Sequence, residues 1–272
     1  MILFRWLGVA GIELTYNDQI LLIDPYLTRI PFWKQWIGTI QPAQPLVRSI
    51  IPRADFVLIT HAHYDHLLDV PVISINSGAQ ALGSYNTVSL LRILGVPQRQ
   101  VTRIAIGDNF VLGEFHVKVY SSRHGWAPGF APGPLLPGLH APLRARDYRM
   151  DNCLSFLITI NDLRLLVTSG EFLESPPPAE VLFANPVYAS TLEKTFLKQV
   201  HPRLVIPIHW DDFWRPLDKP VRPIYHPPSW KTFPPLQTVD LQKFQKDINQ
   251  VLPETKTLVA GRLQTYHLKD WL

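Results

Sequence analysis

The feature that most constrains this chain is a cluster of possible metal ligands directly behind a short apolar run. Residues 54–60, ADFVLIT, are continuously apolar apart from one acid and rich in β-branched side chains, which predicts a buried strand. The next six residues, HAHYDH, supply His61, His63, Asp65 and His66. Imidazole and carboxylate groups are ligands that zinc favours, and a tight turn after a strand could present them to two adjacent metal sites.

The alternative is that these four residues form a polar surface turn. We disfavour it because imidazoles packed directly behind an apolar strand would lose hydration without gaining a partner. The spacing therefore predicts a metal centre led by this motif.

The bulk composition is that of an ordinary globular protein. The chain has 272 residues, of which 46% are hydrophobic and 18% charged, and no polar linker divides it. We therefore expect one domain over residues 1–272. Apolar runs separated by turn residues predict strands and helices in two similar halves, each a sheet with helices on its outside. Such halves would bury their sheets against each other, an α/β (α+β) sandwich.

Three local signals illustrate this prediction. Asn17 and Asp18 between two apolar runs predict a hairpin turn. The stretch NTVSLLRILG predicts a helix with Asn86 as its N-cap. The stretch STLEKTFLKQVHP predicts another, opened by a capping box of Ser190 and Glu193.

Charge and cysteine content limit the kinds of binding partner and the cellular compartment that the sequence predicts. The net charge of +4 fits an anionic small-molecule substrate, while no run of Lys and Arg is dense enough to indicate specific nucleic-acid binding. The single cysteine, Cys153, excludes an intrachain disulfide, and with no signal-peptide pattern it predicts a cytoplasmic protein. No apolar span predicts a transmembrane segment. Peripheral membrane contact and the oligomeric state stay open.

The HAHYDH stretch resembles the HxHxDH motif of the metallo-β-lactamase superfamily. Residues 4–27, FRWLGVAGIELTYNDQILLIDPYL, resemble the opening hairpin of that fold, which ends in an Asp, here Asp24. The branch most resembled contains ascorbate-phosphate lactonases and N-acyl-phosphatidylethanolamine phospholipase D. The resemblance implies a four-layer αββα sandwich and hydrolysis by a metal-activated water. It also implies one or two Zn²⁺ ions as cofactor, with Mn²⁺ or Fe²⁺ as alternatives.

The resemblance further implies roles for residues outside the motif. VYSSRHG supplies His124 and LVIPIHW supplies His209 as later ligands. The family usually places a metal-bridging Asp after a Gly at a strand end; here LRLLVTSGE offers Glu171, which we expect to contact a metal. Asp24 is expected to support the histidine loop by hydrogen bonds. Asp65 is expected to be catalytic, as a ligand that also orients the water.

Two long proline- and aromatic-rich stretches, residues 26–45 and 210–236, are predicted to border the mouth of the site. Trp210 and Trp214 directly follow His209, so they either pack in the core or wall a substrate pocket. The resulting hypothesis is hydrolysis of a phosphodiester or related phosphate ester. The alternatives are a lactone or carboxylic ester hydrolase, and a metal-binding protein with a degenerate catalytic site.

Overall fold

Two mixed β-sheets organise the computed structural model, which describes residues 1–125, 127–187, 194–226 and 237–272. Within these residues the first sheet has seven strands, in the spatial order β17 (Thr265–His267), β1 (Leu3–Gly8), β2 (Gly11–Tyr16), β3 (Gln19–Ile23), β4 (Phe56–Leu58), β5 (Gln80–Gly83) and β6 (Val101–Arg103). The second sheet has the order β11 (Glu171–Phe172), β8 (Phe115–Arg123), β9 (Cys153–Ile160), β10 (Leu163–Val167), β12 (Val181–Ala184), β13 (Leu204–Pro207) and β16 (Lys256–Thr257). Strand β7 (Asn109–Leu112) pairs with β8, and β14 (Tyr225–His226) pairs with β15 (Gln237–Thr238) in a separate ribbon.

Helices cover the outer faces of both sheets. The α-helices of the described residues are α1 (Gln44–Ile50), α2 (Tyr64–Leu67), α3 (Val70–Ser77), α4 (Tyr85–Ile93), α5 (Lys194–Val200) and α6 (Leu241–Val251). Short 3₁₀ helices span Phe32–Gln35, Gln98–Gln100, Ala145–Asp147 and Leu268–Trp271. Helices α3 and α4 lie against the first sheet, and α5 and α6 lie together on the second.

Strand β12 shows how the sequence produces these layers. Its side chains alternate, so Val181 and Phe183 join the core shared with the first sheet, while Leu182 and Ala184 pack with α5 and α6. The ring of Phe183 lies 5.3 Å from that of Phe4 on β1, across the gap between the sheets. The order helix, sheet, sheet, helix is the predicted αββα sandwich, which is confirmed.

Local signals were predicted with mixed success. Asn17 and Asp18 both adopt positive φ angles, as a tight hairpin between β2 and β3 requires. The N-cap of α4 is Ser84 and not Asn86, because the Ser84 hydroxyl accepts the Thr87 N–H. The capping box predicted at residues 190 and 193 lies outside the described residues.

The ends of the strands decide where a site can form. Strands β3, β4 and β5 run parallel, and so do β10, β12 and β13. Asp24 follows β3, the HAHYDH motif follows β4, and His209 follows β13. His124 follows β8, at the same edge of the two sheets. Chain segments distant in sequence therefore deliver polar side chains to one edge.

Candidate metal centre

The structure gathers six of the seven residues expected to bind metal into two neighbouring groups. The first group is His61, His63 and His124, and the second is Asp65, His66 and His209. In each group, one ligand atom from each residue lies within 4.8 Å of the others. The grouping has the geometry of two adjacent three-ligand metal sites.

The turn after β4 explains how one motif contributes to both groups. His63 is the extended N-cap residue of α2, and its carbonyl accepts the N–H groups of His66 and Leu67. The chain therefore turns into a helix between His63 and Asp65. The rings of His61 and His63 stay on the first side, while Asp65 and His66 project from the first turn of the helix towards His209.

The imidazole rings converge closely. The ring centroids of His61 and His66 lie 3.9 Å apart, and those of His63 and His124 lie 4.9 Å apart. In the second group, Oδ2 of Asp65 lies 3.3 Å from Nε2 of His209 and 3.5 Å from Nε2 of His66.

Several of these atoms are buried without a hydrogen-bond partner in the described part of the chain. They include Nε2 of His61, Oδ1 of Asp65 and Nε2 of His66. Buried polar atoms in native structures are nearly always satisfied, so three such atoms at one spot need an explanation. Metal ions at the two groups, together with the water they hold, would satisfy them, and the nitrogen and oxygen donor set suits Zn²⁺ as well as Mn²⁺ or Fe²⁺. The residues present therefore fit a metal.

The protonation states also favour metal binding. Burial lowers the pKa of His63 to about 3 and that of His124 to about 4, and it lowers the pKa of His61 well below its ordinary value. The first group is therefore uncharged at neutral pH, which is the coordinating form of imidazole. Burial alone would raise the pKa of the Asp65 carboxyl, but the adjacent His66 and His209 lower it below its usual range. Asp65 is thus ionised, the form in which a carboxylate can bind a metal.

Asp24 is placed to orient the motif. Its carboxylate accepts the backbone N–H of Thr60 at 2.8 Å, the Thr60 hydroxyl, and Nδ1–H of His66 at 2.7 Å. A proton held on Nδ1 leaves Nε2 of His66 as the nitrogen available to a metal. Burial disfavours charge on His66, yet Asp24 and Asp65 outweigh this effect and raise its pKa.

A second support, which the sequence did not reveal, holds the His209 segment. The N–H of His209 donates to the carbonyl of Val9 at 2.7 Å, and the N–H of Val9 donates to Oδ1 of Asp211 at 2.8 Å. Arg29 completes this connection, because its Nη2 donates to Oδ2 of Asp211 at 3.0 Å in a fully buried ion pair. The only signal was an acid two residues after a predicted ligand, which is too common to single out Asp211.

Four residues near the metal-site edge of the sheets have strained backbone conformations. Val9, Asp24, Arg29 and His209 all adopt the left-handed conformation, with φ between 46° and 58°. A non-glycine residue in this region is costly, and for Val9 strongly so. The hydrogen bonds around Asp24 and Asp211 hold these conformations, as expected where a site is preorganised.

Glu171 is not brought to either group, contrary to the sequence prediction. Strand β11 pairs with β8 so that Glu171 lies opposite Arg123, and the Arg123 guanidinium donates two hydrogen bonds to Oε2, at 2.8 and 2.6 Å. The Glu171 side chain is 38% exposed at the sheet edge. Buried Ser169 lies two residues earlier; its hydroxyl donates to the Leu154 carbonyl and lies 3.1 Å from Sγ of Cys153.

The aromatic residues after His209 divide between core and site. Trp210 is buried and stacks on Trp6 at 5.3 Å, so of the two roles that the sequence left open for it, core packing and a pocket wall, it has the first. Phe213, which the sequence analysis missed, lies 6.0 Å from the His209 ring. Trp214 packs on Phe213 at 4.1 Å and is only partly buried.

Both long loops reach the site in their described parts. Phe32, from the first loop, meets the Trp214 ring edge-on at 4.9 Å. Phe130, from the loop after His124, lies 5.0 Å from the His63 ring and 5.8 Å from Phe213. Residues 227–236 of the second loop lie outside the described residues.

The αββα sandwich and the two ligand groups at its edge define a metallo-β-lactamase fold. A family described as the beta-lactamase superfamily domain matches residues 19–170, more than half of the chain. The chain belongs to this family.

Individual relatives agree with that assignment. A UPF0173 metal-dependent hydrolase from Pyrobaculum arsenaticum is 27% identical over 215 residues, which cover 77% of this chain and 84% of the relative. Igni18, a metallo hydrolase from Ignicoccus hospitalis, has a TM-score of 0.58 and 17% identity, covering 97% of each chain. The metallo-β-lactamase fold protein YhfI from Bacillus subtilis has a TM-score of 0.59 and 11% identity, covering 98% of this chain and all of its own. At these identities the two structures support the fold.

A search of the described residues for a helix with the length and apolar character needed to cross a bilayer finds none.

Proposed function

We propose that this protein is a metal-dependent hydrolase and, more specifically, that it hydrolyses a phosphodiester or related phosphate ester with one or two Zn²⁺ ions. One observation carries the proposal: two adjacent groups that together hold five imidazoles and one ionised carboxylate, with buried atoms that have no other partner among the described residues. The matching relatives include a metal-dependent hydrolase, which supports the same reaction class.

The roles of the chain's own residues follow from their placement. His61, His63 and His124 would hold one ion, and Asp65, His66 and His209 the other. Bound metal supplies Lewis acidity and lowers the pKa of a water. Oδ2 of Asp65 lies 3.3 Å from Nε2 of His209, a spacing that suits two ligands of one ion. Oδ1 of Asp65 is buried without a partner among the described residues, so it could accept a hydrogen bond from the attacking water and orient it.

The aromatic residues favour a substrate with an apolar portion. Phe130, Phe213, Trp214 and Phe32 form a continuous series of ring contacts from His63 and His209 to the surface, where Phe32 is half exposed. Exposed aromatic surface beside a polar site is typical of a ligand-binding region. The net charge of +4 favours an anionic substrate, and the sequence resembles the branch that contains a phospholipase.

The test compares three substrates on metal-loaded protein: bis(p-nitrophenyl) phosphate, p-nitrophenyl acetate and a simple γ-lactone. We expect phosphodiester hydrolysis to have the highest kcat/KM and to fall by roughly a hundredfold or more in Asp65→Asn. Exposed His116 provides the control substitution His116→Asn, which should retain activity.

Faster turnover of the ester or the lactone would assign the alternative substrate class. Full metal content without turnover of any substrate would favour the metal-binding protein without catalysis.

A further inference from the structure

Gln35 lies at the junction of the three chain segments that carry the metal ligands. It ends the 3₁₀ helix Phe32–Gln35 and is buried, whereas Phe32, Trp33 and Trp36 beside it are half exposed. Its amide makes three hydrogen bonds to residues far apart in the sequence. The element therefore has one inward polar side chain, and its partners identify what that side chain does.

The carbonyl side of the amide accepts two hydrogen bonds. Tyr64 Oη–H donates to Oε1 of Gln35 at 3.0 Å, and Nε1–H of Trp214 donates to the same atom at 3.0 Å. Tyr64 lies between the ligands His63 and Asp65, and Trp214 lies five residues after the ligand His209. Oε1 thus connects the motif helix to the His209 segment, the two segments that form the second group.

The amino side of the amide connects the remaining segment. Nε2 of Gln35 donates to the carbonyl of Pro128 at 2.7 Å, four residues after the ligand His124. The neighbouring Gly129 has a φ of +82°, and a Cβ there would lie 2.0 Å from Nε2 of Gln35, so this close approach requires glycine. Through Tyr64 and Pro128 the amide connects the two segments that form the first group.

The chemistry of the partners fixes the orientation of the amide. Indole N–H can only donate and a backbone carbonyl can only accept, so Oε1 must face Trp214 and Nε2 must face Pro128. The arrangement needs one side chain that accepts twice and donates once. A carboxylate lacks the donor and an ammonium lacks the acceptor, which leaves glutamine as the side chain of suitable length and chemistry.

We propose that Gln35 is a positioning residue that sets the separation of the three ligand-bearing segments, and thereby the metal affinity of both groups. The proposal rests on the metal centre within the proposed function and not on the identity of the substrate. The two ends of one amide thereby serve two sites: Nε2 supports the segment of His124 in the first group, and Oε1 supports the segment of His209 in the second.

The test measures metal affinity by titrating Co²⁺ in competition with a chromophoric chelator, which resolves two binding steps. The step lost in His124→Ala is assigned to the first group, and the step lost in His209→Ala to the second. Gln35→Met keeps the volume and removes all three hydrogen bonds, so we expect both affinities to fall by roughly tenfold. Trp214→Phe keeps the ring contacts with Phe32 and Phe213 but removes the indole donor. It should weaken the second site and leave the first within about twofold of wild type, with a change in the Co²⁺ absorption spectrum of that site alone.

Gln100 provides the matched control. It is also buried, and its Nε2 donates to the Ser74 carbonyl at 2.9 Å, away from both ligand groups. Gln100→Met should leave both Co²⁺ affinities unchanged, even if it lowers thermal stability.

Wild-type affinities in a folded Gln35→Met protein, or equal losses in Gln100→Met, would overturn the proposal. If Gln35→Met does not fold, Trp214→Phe tests the proposal by itself. An unchanged Co²⁺ affinity of the second site in that variant would overturn the proposal. Because the readout is metal binding, wild-type protein that binds metal but hydrolyses no phosphodiester would refute the proposed substrate class and leave this test valid.

Discussion

The Nδ1 atom of His66 lies 2.7 Å from the Oδ2 atom of Asp24, although the two residues are 42 positions apart in the sequence. The same carboxylate accepts the Thr60 N–H at 2.8 Å. Asp24 therefore fixes both the ring orientation of a candidate metal ligand and the start of the loop that carries four such candidates.

Replacing Asp24 with Asn should weaken metal binding at the second group by roughly 10- to 100-fold, because the amide no longer offers the charged acceptor that keeps the proton on Nδ1 of His66. Asn tolerates the left-handed backbone of position 24, so backbone strain does not confound the result. The measurement is competitive Zn²⁺ titration. Asp55→Asn is the control, since Asp55 also accepts a backbone N–H, from Ile20, remote from the ligand groups. Equal affinities in Asp24→Asn and wild type would contradict this role.

Glu171→Ala should leave both metal affinities within about twofold of wild type, because Arg123 binds its carboxylate at an exposed sheet edge. The accompanying loss of stability should be below about 1 kcal/mol, as for other exposed ion pairs. Calorimetric metal titration and urea unfolding measure the two quantities. Selective loss of one metal in the variant would show that Glu171 reaches the centre after all.

Trp210→Ala should destabilise the fold by about 3–5 kcal/mol, since the indole is buried and stacked on Trp6. Guanidinium unfolding measures the loss, and Trp33→Ala is the comparison because Trp33 is 55% exposed and should cost about 0.5 kcal/mol or less. If both variants proved equally stable, Trp210 would not be a core residue.

Cys153 should resist thiol reagents in the folded protein. Burial raises the pKa of its thiol to about 12, so the reactive thiolate is scarce at ordinary pH. Between about pH 7 and 9.5 we expect a modification rate far below that of an exposed thiol, and one that keeps rising with pH without the levelling that an exposed thiol shows as it ionises. The measurement uses an aromatic disulfide reagent, which releases a coloured thiolate for each protein thiol that reacts. Unfolding in guanidinium should expose Cys153 and make it react rapidly. Rapid labelling of native protein at neutral pH would argue that Cys153 is accessible.

The parts of the site that were predictable from the sequence are local. His61, His63, Asp65 and His66 follow one apolar strand, and the turn into a helix at His63 places them in both ligand groups. The metallo-β-lactamase fold followed from the same motif and the opening hairpin.

The parts that could not be predicted depend on pairing between distant segments. Glu171 has the expected position in the chain, but the register of β11 with β8 turns it to Arg123. Arg29 and Asp211 are 182 positions apart, and Gln35 and Trp214 are 179 apart. No local pattern marks such partners, because each contact exists only once the loops are assembled.

The most direct test of the account is metal content per chain. Protein loaded with Zn²⁺, freed of loosely bound metal and analysed by elemental mass spectrometry should hold two ions per chain, one for each ligand group. His61→Ala and His209→Ala should each reduce this content towards one, whereas His116→Ala should not change it. Wild-type protein without bound metal, or variants that bind as much as wild type, would contradict the assignment of these six residues as a metal centre.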